Sequence, residues 1–379
     1  MFHKPITISS VSLLFVGVCS PFARATAAPE PVPTTTPTSY LKLVAALEKQ
    51  VDSSSSEEAR NGFKQELAWN LSFVGDYGRA TQTFASAFSP PAPAQPTAED
   101  AAALRSGLPF LDPVESICAA VESRRILIVN EAHHHPDHRV LGQRLLPCLK
   151  RLGFKYAAFE TLGEETEAIN ARGFVTRNTG WYSAEPQMAR LINDALRLGF
   201  KVVRYEARNF CSSCTQDDQI DQREEEQASN LESEIFKRDE KAKAFIWVGF
   251  AHAYKHQLTD SGKSRWMAAR LWEKTGIEPY SVEQISEGFA LNSWNQYYET
   301  LMQPEYPKQS VFLDVAARWS FIPTFFQPSI AHTFDLKPAV DALVLHPRQT
   351  LKSTRWQWLE TPPEEQLNVI FDSSSLLEL

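Results

Sequence analysis

The sequence predicts an α/β protein: a mainly parallel central sheet flanked by helices, with an N-terminal helical hairpin ahead of it. Two observations carry this. From about residue 112, apolar runs rich in β-formers alternate with helix-patterned segments, the signature of strands joined by helical crossovers. These runs are "RILIVN" (125–130), "KYAAFE" (155–160), "KVVRYE" (201–206) and "AFIWVGFAH" (244–252). Upstream, residues 40–88 carry apolar residues at helical spacing instead.

Taken in order, residues 1–28 read as a secretory signal. Lys4 supplies the positive start, "VSLLFVGV" an apolar core too short to span a bilayer, and "ATA" (25–27) a small-residue cleavage site. "APEPVPTTTPTS" makes 29–39 an extended Pro/Thr linker. Residues 40–88 read as a helical hairpin, broken at Gly75–Asp76. Trp69, Gly75, Tyr77 and Ala80 sit as in a single tetratricopeptide-type unit, which cannot stack a solenoid alone. A second linker is expected over 89–111, the α/β domain over 112–350 and an aromatic-rich tail over 351–379.

Within the α/β domain a helix is expected over 138–152, kinked or broken by Pro147, with Asp137 as its cap. Further helices are expected over 186–198, with Gly199 as the stop, over 218–241 and over 262–274. Additional strands are expected near 279–284 and 342–346.

The net charge of −8 argues against a nucleic-acid binder, and no run after the signal is apolar enough for a transmembrane helix. Loss of the signal removes Cys19 and leaves Cys118, Cys148, Cys211 and Cys214, an even set that fits disulfides in an exported protein, periplasmic or secreted. "CSSC" (211–214) lies in a polar loop, which favours a local structural disulfide over a thioredoxin-like motif or a zinc site.

Ligands of open parallel sheets bind outside the carboxyl ends of the strands. Those ends carry Glu131 and His133, then Glu160, Glu206 and His252. Alone, each reads as a loop polar group or a cap; together they form a constellation of ligand and acid/base chemistry. The stretch "ILIVNEAHHHPDH" (126–138) also holds His134, His135 and His138. Loop geometry keeps all four histidines from converging, so His134, His138 and Glu206 stand in a second tier. His252 and His256 in "AHAYKH" have the spacing of a zinc helix, but the glutamate is missing and a strand ends there.

"NEAHHHPDH" is similar to the "GExHxxxxH" motif of the ChaN-like haem-binding lipoproteins, which share an α/β superfamily with the erythromycin esterases and TraB/Tiki metalloproteases. The resemblance continues at "FE" (159–160), at "REEEQASNLESEI" (223–235) and at "VGFAH" (248–252), and covers roughly residues 112–290. By position it implies Glu131, His133, Glu160 and His252 as the active-site or ligand set, His138 as the later histidine and Arg223 as the helix-borne arginine. Asn130 stands where that motif has glycine, and asparagine tolerates a left-handed backbone better than most residues.

Two functions follow as expectations. One is a hydrolase of ester or peptide bonds acting on a small-molecule or peptide substrate. Its water is activated either by a divalent transition metal on His133, Glu160 and His252 or by a carboxylate-polarised imidazole. Glu131, His133 and Arg223 would be catalytic, Arg223 holding an oxyanion unless it only pairs with Glu224–Glu226 on a helix surface. The other is haem or iron binding without hydrolysis, with Tyr205 or Tyr254 as further contacts. A module that has lost its chemistry fits the hairpin and linkers but not the intact ligand positions.

Overall fold

The computed structural model describes residues 40–87, 96–107, 109–209, 211, 213–256, 265–285, 310–324 and 337–346. The expected signal, the first linker and the tail lie outside them. Seven strands form one sheet: β1 (Ile126–Glu131), β2 (Tyr156–Phe159), β3 (Lys201–Arg204), β4 (Ala244–Gly249), β5 (Tyr280–Glu283), β6 (Val311–Asp314) and β7 (Ala342–Leu345). Their order is β3-β2-β4-β1-β5-β7-β6, parallel throughout except for β6 against β7.

Helices cover both faces, so the inner strands are buried on both sides and read as continuous apolar runs. Successive residues of β1 serve opposite layers. Leu127 and Val129 pack with the helices α6 (Asp137–Arg151) and α8 (Pro186–Arg197). Ile126 and Ile128 pack with α9 (Gln216–Leu231) and α10 (Met267–Thr275).

The upstream unit has three helices, α1 (Tyr40–Ser53), α2 (Glu57–Phe73) and α3 (Tyr77–Ala85). Ser56 caps α2 and Asp76 caps α3, each accepting a first-turn N–H. Gly75 turns the chain between them at φ 78°, where a Cβ is disfavoured. Val44, Leu47, Leu67, Leu71 and Ala80 form a core of their own. The other side of this unit, with Ala68, Phe73 and Phe84, joins the cores of the α/β layers.

Several expectations are corrected. The second linker is not wholly extended, because α4 (Ala98–Gly107) occupies its latter half. Helix α5 (Pro113–Ala120) precedes β1 and α7 (Thr166–Arg172) follows β2. Helix α6 runs through Pro147 unbroken, and Asp137 is its first residue, after Pro136, with no side-chain cap. The segment at 250–253 is a 3-10 turn, so His252 and His256 do not share an α-helical face. Cys118–Cys148 ties α5 to α6, and Cys211–Cys214 closes a short loop before α9. Among the described residues no helix is long and apolar enough to cross a membrane.

Candidate active site: two imidazole–carboxylate pairs around one glutamate

Parallel register brings the site together. Glu131 at the end of β1 stands beside Gly249 at the end of β4, and the Glu160 amide donates to the Trp247 carbonyl at 3.2 Å. Two residues beyond these ends adopt positive φ without being glycine, Thr161 at 60° and Phe250 at 42°. Such geometry persists only where surroundings over-determine it. Here the Thr161 amide is held by Glu206 at 3.1 Å, and the Phe250 carbonyl by the Asn130 amide group at 2.7 Å. Asn130 itself is a strand residue without a positive φ, so the left-handed turn expected there is absent. Its side chain clamps the ends of β4 and β5 instead, also accepting from the Gln284 amide at 2.8 Å.

The first pair is Glu131–His133. Glu131 is fully buried and accepts from Arg139 Nε at 2.7 Å, Arg139 Nη2 at 2.6 Å and Trp247 Nε1 at 2.7 Å; its Oε1 also lies 2.9 Å from His133 Nδ1. Burial alone would raise its pKa, but Arg139 and the hydrogen bonds from Arg139 and His133 hold it at about 2. A carboxylate so fixed orients the ring through His133 Nδ1 and turns the Nε2 edge towards the site. Tyr182 stacks on the imidazole at 3.9 Å and sets its plane.

The second pair is His252–Glu224, with Nδ1 2.7 Å from the carboxylate. His252 Nε2 lies 3.4 Å from Glu160 Oε1, while His133 Nε2 lies 3.9 Å from Glu160 Oε2. Both free imidazole edges therefore converge on Glu160. Arg223 completes the centre: Nε and Nη2 donate to Glu206 at 2.9 and 2.8 Å, Nη2 donates to Glu160 at 2.8 Å, and Nη1 lies 3.1 Å from His252 Nε2. Burial would lower the pKa of His252, but Glu224 and Glu160 raise it to about 10. The neighbouring Arg223 guanidinium opposes the two flanking carboxylates. Glu160 is held well below the usual carboxylate range, burial being outweighed by His252, His133 and Arg223.

Glu131, His133, Glu160, His252, Arg223 and Glu206 are thus one buried cluster. Arg223 is not a helix-surface residue, and Glu206 belongs to the centre. The second-tier histidines do not join. His138 Nδ1 accepts from the Ala132 amide at 3.0 Å and staples the loop. His134 stacks on Phe84 at 3.8 Å, and burial holds it neutral. Arg139, Glu185, Glu224, Trp247 and Gln227 were not read from the sequence. Arg139 directly follows the motif histidine, and Glu224 was hidden in an acidic run that resembles a solvated face.

The expected metal ligands His133, Glu160 and His252 do not suit a divalent ion. A permanently charged guanidinium stands against both Glu160 and His252, where the ion would coordinate. Among the described residues no group of three or more His, Cys, Asp or Glu is placed to hold a metal. Tyr205 and Tyr254, the further contacts of the haem alternative, are buried, with the Tyr205 hydroxyl bonded to the Trp247 carbonyl at 3.1 Å. No family model, curated protein or solved structure matches the chain.

Proposed function

We propose that this chain is an ester hydrolase that works by imidazole acid/base chemistry without a metal. The observation that carries the reading is the placement of two carboxylate-backed imidazoles, His133 on Glu131 and His252 on Glu224, whose Nε2 edges both face Glu160. In this reading His133 serves as the base and His252 as the acid. His133 Nε2 takes a proton from water as its oxygen attacks the ester carbonyl carbon. Glu131 balances the imidazolium that forms, and Arg139 and Trp247 keep Glu131 in place.

The carbonyl oxygen becomes an oxyanion. In this reading the Arg223 guanidinium, whose Nη1 lies 3.1 Å from His252 Nε2, stabilises it. As the tetrahedral adduct collapses, the carbon–alkoxide bond breaks and the leaving oxygen takes the proton of His252 Nε2. The proton held by His133 then returns to His252, and the products are an acid and an alcohol. The positions concerned coincide with those implied by the resemblance to the erythromycin esterase branch. Two disulfides and the signal-like N-terminus support an exported setting.

The test is hydrolysis of a panel of p-nitrophenyl esters and peptide anilides by metal-stripped protein. His133→Gln should lower ester turnover by about 10²–10⁴-fold, the usual weight of a general base. Equal turnover in wild type and variant would refute the assignment. Activity that returns only with added zinc, or a hemin Soret shift abolished in His133→Gln, would replace this reading by the metal or haem one.

A further inference from the structure

Three buried donors without a hydrogen-bond partner surround the cluster. Trp69 of α2 is 2 % exposed, and its indole Nε1 is unpartnered, with the ring edge-on to His133 at 6.3 Å. Trp266 is 4 % exposed with Nε1 unpartnered, and its ring is edge-on to His252 at 5.7 Å. Thr161, directly after Glu160, is 7 % exposed and leaves its hydroxyl unpartnered while its amide is bonded. Each donor neighbours one of the three groups at the centre. Other buried atoms also lack a partner, Trp181 Nε1, Tyr280 Oη and Ser281 Oγ among them, but these three flank the groups at the centre, where an arriving acceptor would meet them.

Charge narrows the class of that acceptor. The buried carboxylates Glu131, Glu160, Glu185, Glu206 and Glu224 outnumber Arg139, Arg223 and the His252 imidazolium. A further anion would be repelled in a medium where charges are poorly screened. Neutral oxygen acceptors, such as ether, hydroxyl or carbonyl groups, satisfy the orphan donors without that repulsion.

We propose that Trp69, Thr161 and Trp266 are substrate-binding residues that select an uncharged ester bearing acceptor oxygens beyond its scissile carbonyl, a specificity that rests on the hydrolase reading above. Trp69 comes from the upstream helices, so the hairpin contributes directly to recognition. Tyr77 adds a second link, its hydroxyl 3.4 Å from Glu185 Oε1, and Glu185 in turn bonds Arg139 at 2.5 Å.

The experiment compares three probes: p-nitrophenyl butyrate, its ether isostere p-nitrophenyl methoxyacetate, and mono-p-nitrophenyl succinate. Each rate is divided by the rate of the same ester with free imidazole, which removes intrinsic reactivity. Wild type should favour the methoxyacetate over the butyrate by about tenfold in kcat/KM, the weight of one net hydrogen bond, and should disfavour the succinate. Thr161→Val removes one donor and keeps the shape, while Trp69→Phe and Trp266→Phe each remove one donor and keep an aromatic ring. The methoxyacetate preference should fall towards unity in the variant that loses the contact, through KM rather than kcat. Partial unfolding scales all three probes together and leaves the ratio unchanged. An active wild type without the preference, or three variants that all retain it, overturns the proposal while leaving the hydrolase reading intact. A wild type inactive on all three probes overturns that reading, and this inference with it.

Discussion

Gly249→Ala is the sharpest perturbation of the site, because it adds a single methyl group at its centre. A Cβ there would lie 2.3 Å from His133 Nε2, 2.4 Å from His133 Cε1 and 2.9 Å from Glu160 Oε2. Ordinary contact begins at 3.4 Å, so the imidazole must retreat by 3.4 minus 2.3, about 1 Å. It has no slack. Tyr182 stacks on it at 3.9 Å, and its Nδ1 is tied to Glu131 at 2.9 Å. Retreat therefore either compresses the stack or breaks the Glu131 bond. Overpacking of this kind costs about 1–3 kcal/mol, which lowers Tm by roughly 1–4 °C in a chain of this size. A displacement of about 1 Å at a reacting atom costs on the order of 10²-fold in rate. Thermal unfolding followed by circular dichroism and ester turnover read the two effects separately. Gly78→Ala is the control, since its added Cβ meets nothing within 4 Å. A Gly249→Ala protein with wild-type Tm and wild-type turnover would refute the close approach of His133 and β4 on which the site is built.

Three further outcomes are expected. Arg139→Gln leaves Glu131 and Glu185 buried without their cation, which should cost about 3–5 kcal/mol in urea unfolding; an unchanged midpoint would contradict the network. His252 is held protonated to about pH 10, so its contribution to stability is full below its ordinary value near 6.5 and disappears as pH rises through about 10. NMR titration of its ring should show that midpoint, and one near 6.5 would remove it as the acid. Loss of Cys118–Cys148, with its sequence separation of 30, should cost about 3–4 kcal/mol on the chain-entropy estimate, read as a lower denaturation midpoint in Cys118→Ser/Cys148→Ser; no change would remove it as a brace.

The parts legible in the sequence are those that local pattern controls. Strands β1 and β4 are apolar on both faces, and continuous runs such as "ILIV" and "AFIWVG" announce them without any long-range knowledge. The strand-end acids and imidazoles follow from parallel topology alone. Strand β6 was missed because its partner is the antiparallel β7 at the sheet margin, and no crossover helix flags it. Helix α4 was missed because the Pro-rich stretch before it resembles a continuing linker. Arg139 and Glu224 were missed for a different reason. Each looks like an ordinary helix charge, and only the tertiary fold turns it inward against a carboxylate or an imidazole. The metal expectation meets its obstacle at the same level: three ligand types at strand ends look complete until Arg223 is placed among them.

The strand order has a consequence for how the molecule comes into being. β1 and β2 are not neighbours; each pairs with β4, which lies between them. A chain synthesised only as far as residue 243 has Glu131, His133, Glu160, Glu206 and Arg223 already made, yet nothing to hold the first strand beside the second. Without "AFIWVG" as the middle strand, β1 and β2 have no shared neighbour to bring Glu131 and Glu160 together. The same strand carries Trp247 against Glu131 and ends in Gly249, just before His252. The strand that joins the two halves of the sheet is therefore also the one that brings the two halves of the site together, with β5, β6 and β7 still to follow in the chain.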